Sequence, residues 1–373
     1  MIHHYSFPTE IHFGPGARRL LAEKLKSLAI LRPLVVTDAN VAKLPFFDEL
    51  TGELSDIAVF SGVIGNPVKS QVEKGIAAYR AHNADGIVTV GGGAAIDVAK
   101  AVALAVHHPG DIFDYEDGAP GAKPIDKELP LIVALPTTAG TGSEVGRSAV
   151  ISTDDTHQKK ILFTPKMLPR LILADPELTL GLPAGVTAAT GMDALTHLIE
   201  AYITSGDENP MCDGIALEGL RLVSRSLTRC VKTPGDIAAR SDMLNAAMMG
   251  AVAFQKGLGA NHSCAHALST VCDMHHGLAN GIMLPYVMNF NKPAVEEKFR
   301  IMASVVNTDD LCAWIDALKK DIGIPGNLKE AGIAEDKIER LVAVAKKDVC
   351  HPLNPKPVSE NDFRSIFKKA FGR

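Results

Sequence analysis

The chain has 373 residues, of which 46% are hydrophobic and 22% charged, with a formal net charge of −5. That length calls for about two domains rather than one core, and the charge balance offers nothing to draw the protein to nucleic acid or an anionic membrane. No apolar run is long enough to cross a bilayer, the opening MIHHYSFPTEIHFGPG lacks the apolar core of a signal peptide, and six scattered cysteines with no CxxC pair imply reduced thiols in the cytoplasm.

In chain order, the first segment, HHYSFPTEIHF, is strand-forming and a possible exchanging edge. PLVVTD (33–38) reads as a strand ending in an acid, and SDIAVFSG (55–62) as the next. GIVTVGGG (86–93) runs directly into a helix, AAIDVAKAVALAV. LPLIVALPTTAGTGSEV (129–145) is a strand ending in a Thr/Gly loop, and PRLILADPEL (169–178) is another strand. Apolar, β-branched strands alternating with helices predict a mostly parallel sheet covered on both faces. Near Leu182 and Pro183 the texture changes. Beyond them, stretches such as CDGIALEGLRLVSRSL, DIAARSDMLNAAMMGAVAF and DKIERLVAVAKKD repeat apolar residues at three- and four-residue spacing, which predicts helices. The expected division is therefore an α/β domain over 1–182 and an all-helical domain over 183–373. With no linker or repeat between them, a cleft between the two is the expected ligand site.

Gly91, Gly92 and Gly93 close a strand and open a helix. Glycines let a phosphate approach the backbone, and the helix N-terminus offers N–H groups and a positive dipole end. The G-x-G-x-x-G fingerprint is absent, so the plain alternative is a tight strand–helix turn. The loop from Pro136 to Ser143 adds hydroxyls and mobile backbone at a second strand end, where open α/β sheets bind ligands. Asp38 ends the first strand in the same way. A carboxylate there suits a ribose diol and repels a 2′-phosphate, which favours NAD over NADP; the structural alternative is a helix N-cap before ANVAKL. Asp97 joins the cofactor-binding candidates, with a first-turn acid complementing the helix dipole as its alternative.

Asp193 and His197 lie four apart in an apolar helical stretch, TAATGMDALTHLIEAY, and His262 and His266 repeat that spacing. Residues four apart share a helix face, and a buried charge needs a partner. His276, before Gly277, adds a further imidazole. Carboxylate and imidazole together suit Zn²⁺ or Fe²⁺. Spacing alone does not say which three or four of these residues bind, and His275 is the weakest candidate.

At this point the residues resemble a known family. FGPGA (13–17), GNP (65–67), GGGAAIDVAK (91–100), PTTAGTGSE (136–144), ADPEL (174–178), TGMDALTHLIEAY (190–202), HSCAHALS (262–269), HHGLANGIMLP (275–285) and NPKPVS (354–359) are together similar to the iron-containing (group III) alcohol dehydrogenases of the dehydroquinate synthase-like superfamily, over nearly the whole chain. The resemblance implies an N-terminal dinucleotide-binding domain and a C-terminal helical metal-binding domain. It puts the metal on Asp193, His197, His262 and His276, and His266 near substrate and nicotinamide. It puts cofactor contacts on Asp38, Asn66, Gly92, Gly93, Thr137, Thr138, Thr141, Ser143, Lys160 and Leu178. Asn261, Ser263, Cys264 and His275 depart from the pattern of many members; they leave the metal assignment intact and bear on the substrate pocket.

The expected activity is reversible, NAD-linked oxidation of a small alcohol, diol or hydroxy acid at an Fe²⁺ or alternatively Zn²⁺ centre, with His266 as catalytic proton relay. The expected assembly is a homo-oligomer, a dimer or larger. Glycerol dehydrogenase or a lyase of the same superfamily is the nearer alternative. A metal-dependent hydrolase is a more distant one, which the lack of a second acid cluster disfavours. Arg147 could pair with an anionic substrate or lie solvated at the surface.

Overall fold

The computed structural model describes residues 5–372, and the chain separates into two compact units. One comprises Pro8–Thr138 and Ser143–Leu180; the other takes the segment up to Phe7, the loop piece Ala139–Gly142, and everything from Gly181 onward.

The first unit is an α/β unit. Its strands are β1 (Glu10–Phe13), β2 (Pro33–Asp38), β3 (Ala58–Val63), β4 (Gly86–Gly91), β5 (Ile132–Pro136), β6 (Ser148–Ser152), β7 (Lys159–Phe163) and β8 (Leu171–Ala174); its α-helices are α1 (Leu21–Ser27), α2 (Pro45–Gly52), α3 (Lys69–His82) and α4 (Gly93–His107). Six strands form one sheet in the order β1-β8-β5-β4-β2-β3, every pair parallel. Alternation along the strands sorts side chains to two faces. Leu34, Val36, Ile87 and Ile132 pack with Val72 and Tyr79 of α3 and Val98 and Val102 of α4. Val35, Val88, Val133 and Leu171 pack with Leu21 and Leu25 of α1 and Phe47 of α2. Burial on both faces explains why these strands read as continuous apolar runs.

The structure adds two features to the sequence expectation. β6 and β7 form an antiparallel hairpin outside the main sheet. The strand-forming N-terminal stretch yields only β1, paired with β8 through Glu10 to Leu171 and Phe13 to Ala174; His3 and His4 lie outside the described residues.

The second unit is helical: α5 (Ala184–Ile203), α6 (Pro210–Lys232), α7 (Ile237–Ala253), α8 (Ala260–Cys272), α9 (His276–Asn291), α10 (Glu296–Val305), α11 (Leu311–Asp321), α12 (Ile338–Ala345) and α13 (Glu360–Ala370). α5 is its axis, packed against α6, α7 and α9, and every residue from Gly191 to Ile203 is buried. A helix buried on all sides is a core helix, so the polar groups it carries must find partners there. Close approach of α9 depends on Gly277. A Cβ there would sit 2.4 Å from the Ala189 carbonyl oxygen and 3.2 Å from Asp193 Cβ, so glycine lets the first turn of α9 reach the ionisable stripe of α5.

Candidate functional site

Three ionisable residues, Asp193, His197 and Glu200, lie on the buried axis α5. Their spacing of four and then three puts them on one stripe. Opposite them stand His262 near the start of α8 and His276 at the first position of α9. One ligand atom each from Asp193, His262 and His276 falls within 4.8 Å of the others, and His276 Nε2 is 3.5 Å from Asp193 Oδ1.

Buried side chains fix these groups: Glu200 from behind His262 and Asn280 from within the cluster. Glu200, fully buried, accepts from His262 Nδ1 at 2.5 Å, which leaves His262 Nε2 as the ring atom with a lone pair toward the cluster. The same carboxylate accepts from the backbone N–H of Asn261 at 2.7 Å and of His262 at 3.3 Å. With Asn354 Oδ1, which accepts from Ala260 N at 3.1 Å, it satisfies the open first turn of α8. Asn280 donates to Asp193 Oδ1 at 2.7 Å, and its amide nitrogen lies 3.3 Å from His262 Nε2 and 3.2 Å from His276 Nε2. Asn261 donates in turn to Asn280 Oδ1 at 3.0 Å and to the Asn280 carbonyl at 3.2 Å. A carboxylate and two imidazoles, two of the three buried and all three brought together, are a donor set that fits a divalent transition metal.

His197 stands beside this triplet rather than in it. Its ring stacks on His262 with centroids 4.7 Å apart and tilts against Phe254 at 5.1 Å. Burial pushes its pKa down to about 4, so the ring is neutral near pH 7, the form in which imidazole ligates metals. Its buried Nδ1 makes no well-formed hydrogen bond, although the Gly140 backbone weakly favours the protonated ring.

His266, one turn beyond His262, stacks on His276 at 5.2 Å. Asp348, in the loop after α12, accepts from His266 Nδ1 at 2.7 Å, from Ser263 Oγ at 2.8 Å and from Cys350 N at 2.9 Å. Burial alone would raise the Asp348 carboxyl; its pairing with His266 and the hydrogen bonds from Cys350 N and Ser263 Oγ outweigh it and hold the group well below the usual carboxylate range. Among the departures from the family pattern, Cys264 is a buried thiol whose pKa burial pushes well up, and His275 caps α9 by accepting from Leu278 N at 3.4 Å.

In the α/β unit, Asp38, Gly91 and Pro136 end the adjacent strands β2, β4 and β5. The carboxyl ends of parallel strands are where such sheets bind ligands. Gly92 precedes α4, and a Cβ on it would sit 3.0 Å from Thr138 Cγ2 and Oγ1. Thr137 N donates to the Gly91 carbonyl at 3.0 Å and ties the two loops together. Asp38 Oδ1 accepts from Asn40 N at 2.8 Å and Val41 N at 3.0 Å, closing the turn ahead of the short 3₁₀ helix Val41–Lys43, whose N-cap position is Asn40.

Asp97 has both oxygens engaged, by Ser143 Oγ at 2.6 Å and Val150 N at 3.0 Å, so it braces the loop from behind. Lys160 pairs with Glu116 at 2.5 Å, Leu178 is buried in the core beside α1 and α2, Asn66 lies between β3 and α3, and Thr141 belongs to the loop piece grouped with the helical unit. Arg147 lies over the Phe163 ring, 5.5 Å from its centroid.

Sequence reasoning missed Glu200, Asn280, Asp348 and a buried pair in the α/β unit. Lys100 is wholly buried and donates to Ser143 O at 2.6 Å, Ser143 Oγ at 3.1 Å, Gly146 O at 2.8 Å and Ser148 O at 3.0 Å. Burial lowers its pKa to about 8, against the pull of Asp97 and Glu144, and raises that of buried Glu144 to about 7. The signal for Glu200 was present as the third member of the Asp193 stripe. Lys100, three residues after Asp97, carried no such mark.

The pattern of the family described as "Iron-containing alcohol dehydrogenase" matches residues 8–176, and that of "Fe-containing alcohol dehydrogenase family, C-terminal" matches 187–371. The chain is 38% identical to a 4-hydroxybutyrate dehydrogenase of Cupriavidus necator, over 97% of this chain and 98% of the relative. It is 37% identical to a 1,3-propanediol dehydrogenase of Citrobacter freundii, over 98% of each. A crystal structure of a 1,3-propanediol oxidoreductase superposes with a TM-score of 0.94 at 36% identity, covering 100% of both chains.

Proposed function

The chain belongs to the iron-containing alcohol dehydrogenase family, and from that premise we propose which alcohol it oxidises, which residues serve the reaction and which metal they hold. It is an NAD-linked alcohol dehydrogenase, an oxidoreductase acting on a CH–OH group with a divalent metal. The observation that carries the finer reading is the cluster of buried Asp193 and His262 with half-buried His276.

Asp193, His262 and His276, with neutral His197 alongside, would hold the metal. Fe²⁺ is the resident ion and Zn²⁺ the alternative, because one carboxylate with imidazoles is a borderline-hard set that accepts either. When bound, the metal supplies Lewis acidity toward the substrate oxygen. Glu200 keeps His262 Nε2 turned to the cluster, and Asn280 keeps Asp193 in place. Gly92 and Gly93 at the start of α4 receive the cofactor's pyrophosphate. Thr137, Thr138, Thr141, Ser143, Asn66 and Leu178 contact the cofactor, Lys160 holds the nicotinamide ribose, and Asp38 faces the adenosine ribose. Asp97 acts one layer behind, through Ser143. His266 accepts the hydroxyl proton.

The substrate is a short terminal alcohol with a second oxygen function at its far end. The support is the pair of relatives named for 4-hydroxybutyrate and 1,3-propanediol. A cytoplasmic location is supported by six scattered cysteines with no CxxC pair. Pairing of two chains through β1, which among the described residues has β8 as its one strand neighbour, is the assembly to test by sedimentation.

The test is NADH formation by anaerobically purified protein reloaded with Fe²⁺ or Zn²⁺, offered 4-hydroxybutyrate, 1,3-propanediol, ethanol and methanol. Metal-dependent turnover with kcat/KM about tenfold or more higher for one of the two long substrates than for methanol is the expected result; a fully buried methylene is worth about 0.8 kcal/mol, so two or more supply that ratio. A preference for methanol, or turnover by the metal-free protein, would overturn the reading.

A further inference from the structure

We propose that Asp348 is a positioning residue that locks His266 in a single tautomer, Nδ1 protonated, so that its Nε2 lone pair takes the proton of the alcohol hydroxyl. This rests on the reading above, that the cluster on α5, α8 and α9 is the alcohol-oxidising centre.

Two histidines one turn apart on α8 each have a carboxylate at Nδ1. Glu200 of α5 holds His262 at 2.5 Å and Asp348 of the loop after α12 holds His266 at 2.7 Å. A carboxylate that accepts from Nδ1 requires the proton there, so in the neutral ring the lone pair is on Nε2. The two rings then diverge. His262 supplies an atom to the triplet with Asp193 and His276, whereas His266 does not; it stacks on His276 at 5.2 Å and meets His262 edge-on at 6.0 Å. A basic nitrogen beside the metal-binding atoms, but outside their set, is placed to move a proton.

Asp348 is itself fixed, with Ser263 Oγ at 2.8 Å and Cys350 N at 2.9 Å on its other oxygen. His266, Asp348 and Cys350 also lie close enough to be considered as a second cation site. Three donors already aimed at the Asp348 carboxylate, one of them His266 Nδ1, favour the hydrogen-bonded dyad. In the reaction R–CH₂OH + NAD⁺ → R–CHO + NADH + H⁺, the carbinol C–H pair leaves as hydride to the nicotinamide. The O–H bonding pair becomes the second C–O bond, and the released proton goes to His266 Nε2 and then to water.

The test uses the metal-loaded enzyme with His266→Ala, Asp348→Asn and the double variant, reading kcat, KM for NAD and bound metal. We expect each single change to lower kcat about 100-fold, with KM for NAD and metal content unchanged, and the double variant to be no worse than His266→Ala alone. An Asp348→Asn variant with wild-type kcat, one that loses its metal, or a double variant whose losses multiply would each overturn the proposal. Wild-type kcat in His266→Ala would remove His266 from the reacting centre and the proposal with it. Absence of alcohol oxidation by the wild-type enzyme would instead defeat the underlying reading. Should Asp348→Asn fail to fold, ¹⁵N-imidazole NMR of the Zn²⁺-loaded wild type decides: the Nδ1–H tautomer of His266 supports the proposal, and the Nε2–H tautomer overturns it.

Discussion

The helical unit and the α/β unit build their sites from opposite materials. In the helical unit, side chains project from buried helices and are fixed by other side chains: Glu200 holds His262 and Asp348 holds His266 from the Nδ1 side, while the Asn280 amide lies among the Asp193, His262 and His276 atoms themselves. In the α/β unit the working surface is backbone and hydroxyl at strand ends, and a single buried cation, Lys100, gathers the loop's carbonyls. The first design places atoms accurately and depends on each of them chemically. The second tolerates varied loop residues and depends on its brace for folding. Damage to the two should therefore separate cleanly.

The largest effect expected is from His276→Ala. It removes one of three clustered donors at the partly exposed first position of α9, where truncation leaves little cavity. Activity should fall by about 10³-fold or more together with bound metal, while NADH binding followed by fluorescence persists. Loss of NADH binding as well would show that the two sites are not separable. The converse variant is Lys100→Met. It strands three carbonyls and the Ser143 hydroxyl and leaves Asp97 and Glu144 without their cation. Breaking such a buried arrangement costs about 3–5 kcal/mol, to be read from urea unfolding. NADH affinity should drop while metal content per folded molecule stays at the wild-type level.

The sequence was readable where chemistry and periodicity coincide. Asp193 and His197, and then His262 and His266, fall at helical spacing within apolar stretches, and β2, β4 and β5 are continuous β-branched runs ending in an acid, glycines or a Thr/Gly loop. His276 was recognisable mainly through its motif, because the feature that brings it to α5, the close approach at Gly277, is a property of packing. Asp348 and Asn280 were not legible: each works on a residue more than eighty positions away, and no local pattern encodes that pairing. Lys100 was hidden for a different reason. An isolated lysine in an alanine-rich helix reads as a solvated position, and only the β5–β6 loop folded over it gives its ammonium four acceptors. The β6–β7 hairpin escaped because its five-residue strands are joined by TDDTHQ, without a Gly-containing hairpin turn.

A pH experiment sharpens the contrast at the brace. Burial raises Glu144 from its ordinary 4.5 to about 7, so between those values the folded protein holds a proton that the unfolded chain has released. Stability contributed by this group is complete below about pH 4.5 and is lost as pH rises through 7. Glu144→Gln removes the titration. The stability difference between wild type and variant should therefore shift by about 2–3 kcal/mol between pH 4.5 and 8, to the wild type's disadvantage at the upper end. Urea unfolding of both proteins across that range measures it, and parallel curves would mean that Glu144 is ionised in the fold at all these pH values.

The smallest effect tests the residue with two readings. Asp38 caps the turn after β2 through Asn40 and Val41, using Oδ1 for both, while Oδ2 would lie 3.8 Å from a Cβ on Gly91, at the mouth of the phosphate loop. Asp38→Ala removes the cap at a cost of about 1 kcal/mol, and asparagine, which can still accept both N–H bonds, should recover most of that loss. Asparagine keeps the cap but not the charge, so the two readings part at the cofactor. If the carboxylate faces the ribose, both variants raise KM for NAD and begin to accept NADP, because the repulsion of a 2′-phosphate is gone. If Asp38 is only a cap, asparagine matches the wild type in stability and in preference for NAD. The comparison between the units then extends to single residues, since a strand-end carboxylate can serve the backbone with one oxygen and a ligand with the other, an economy that the fully occupied carboxylates of Glu200 and Asp348 do not have.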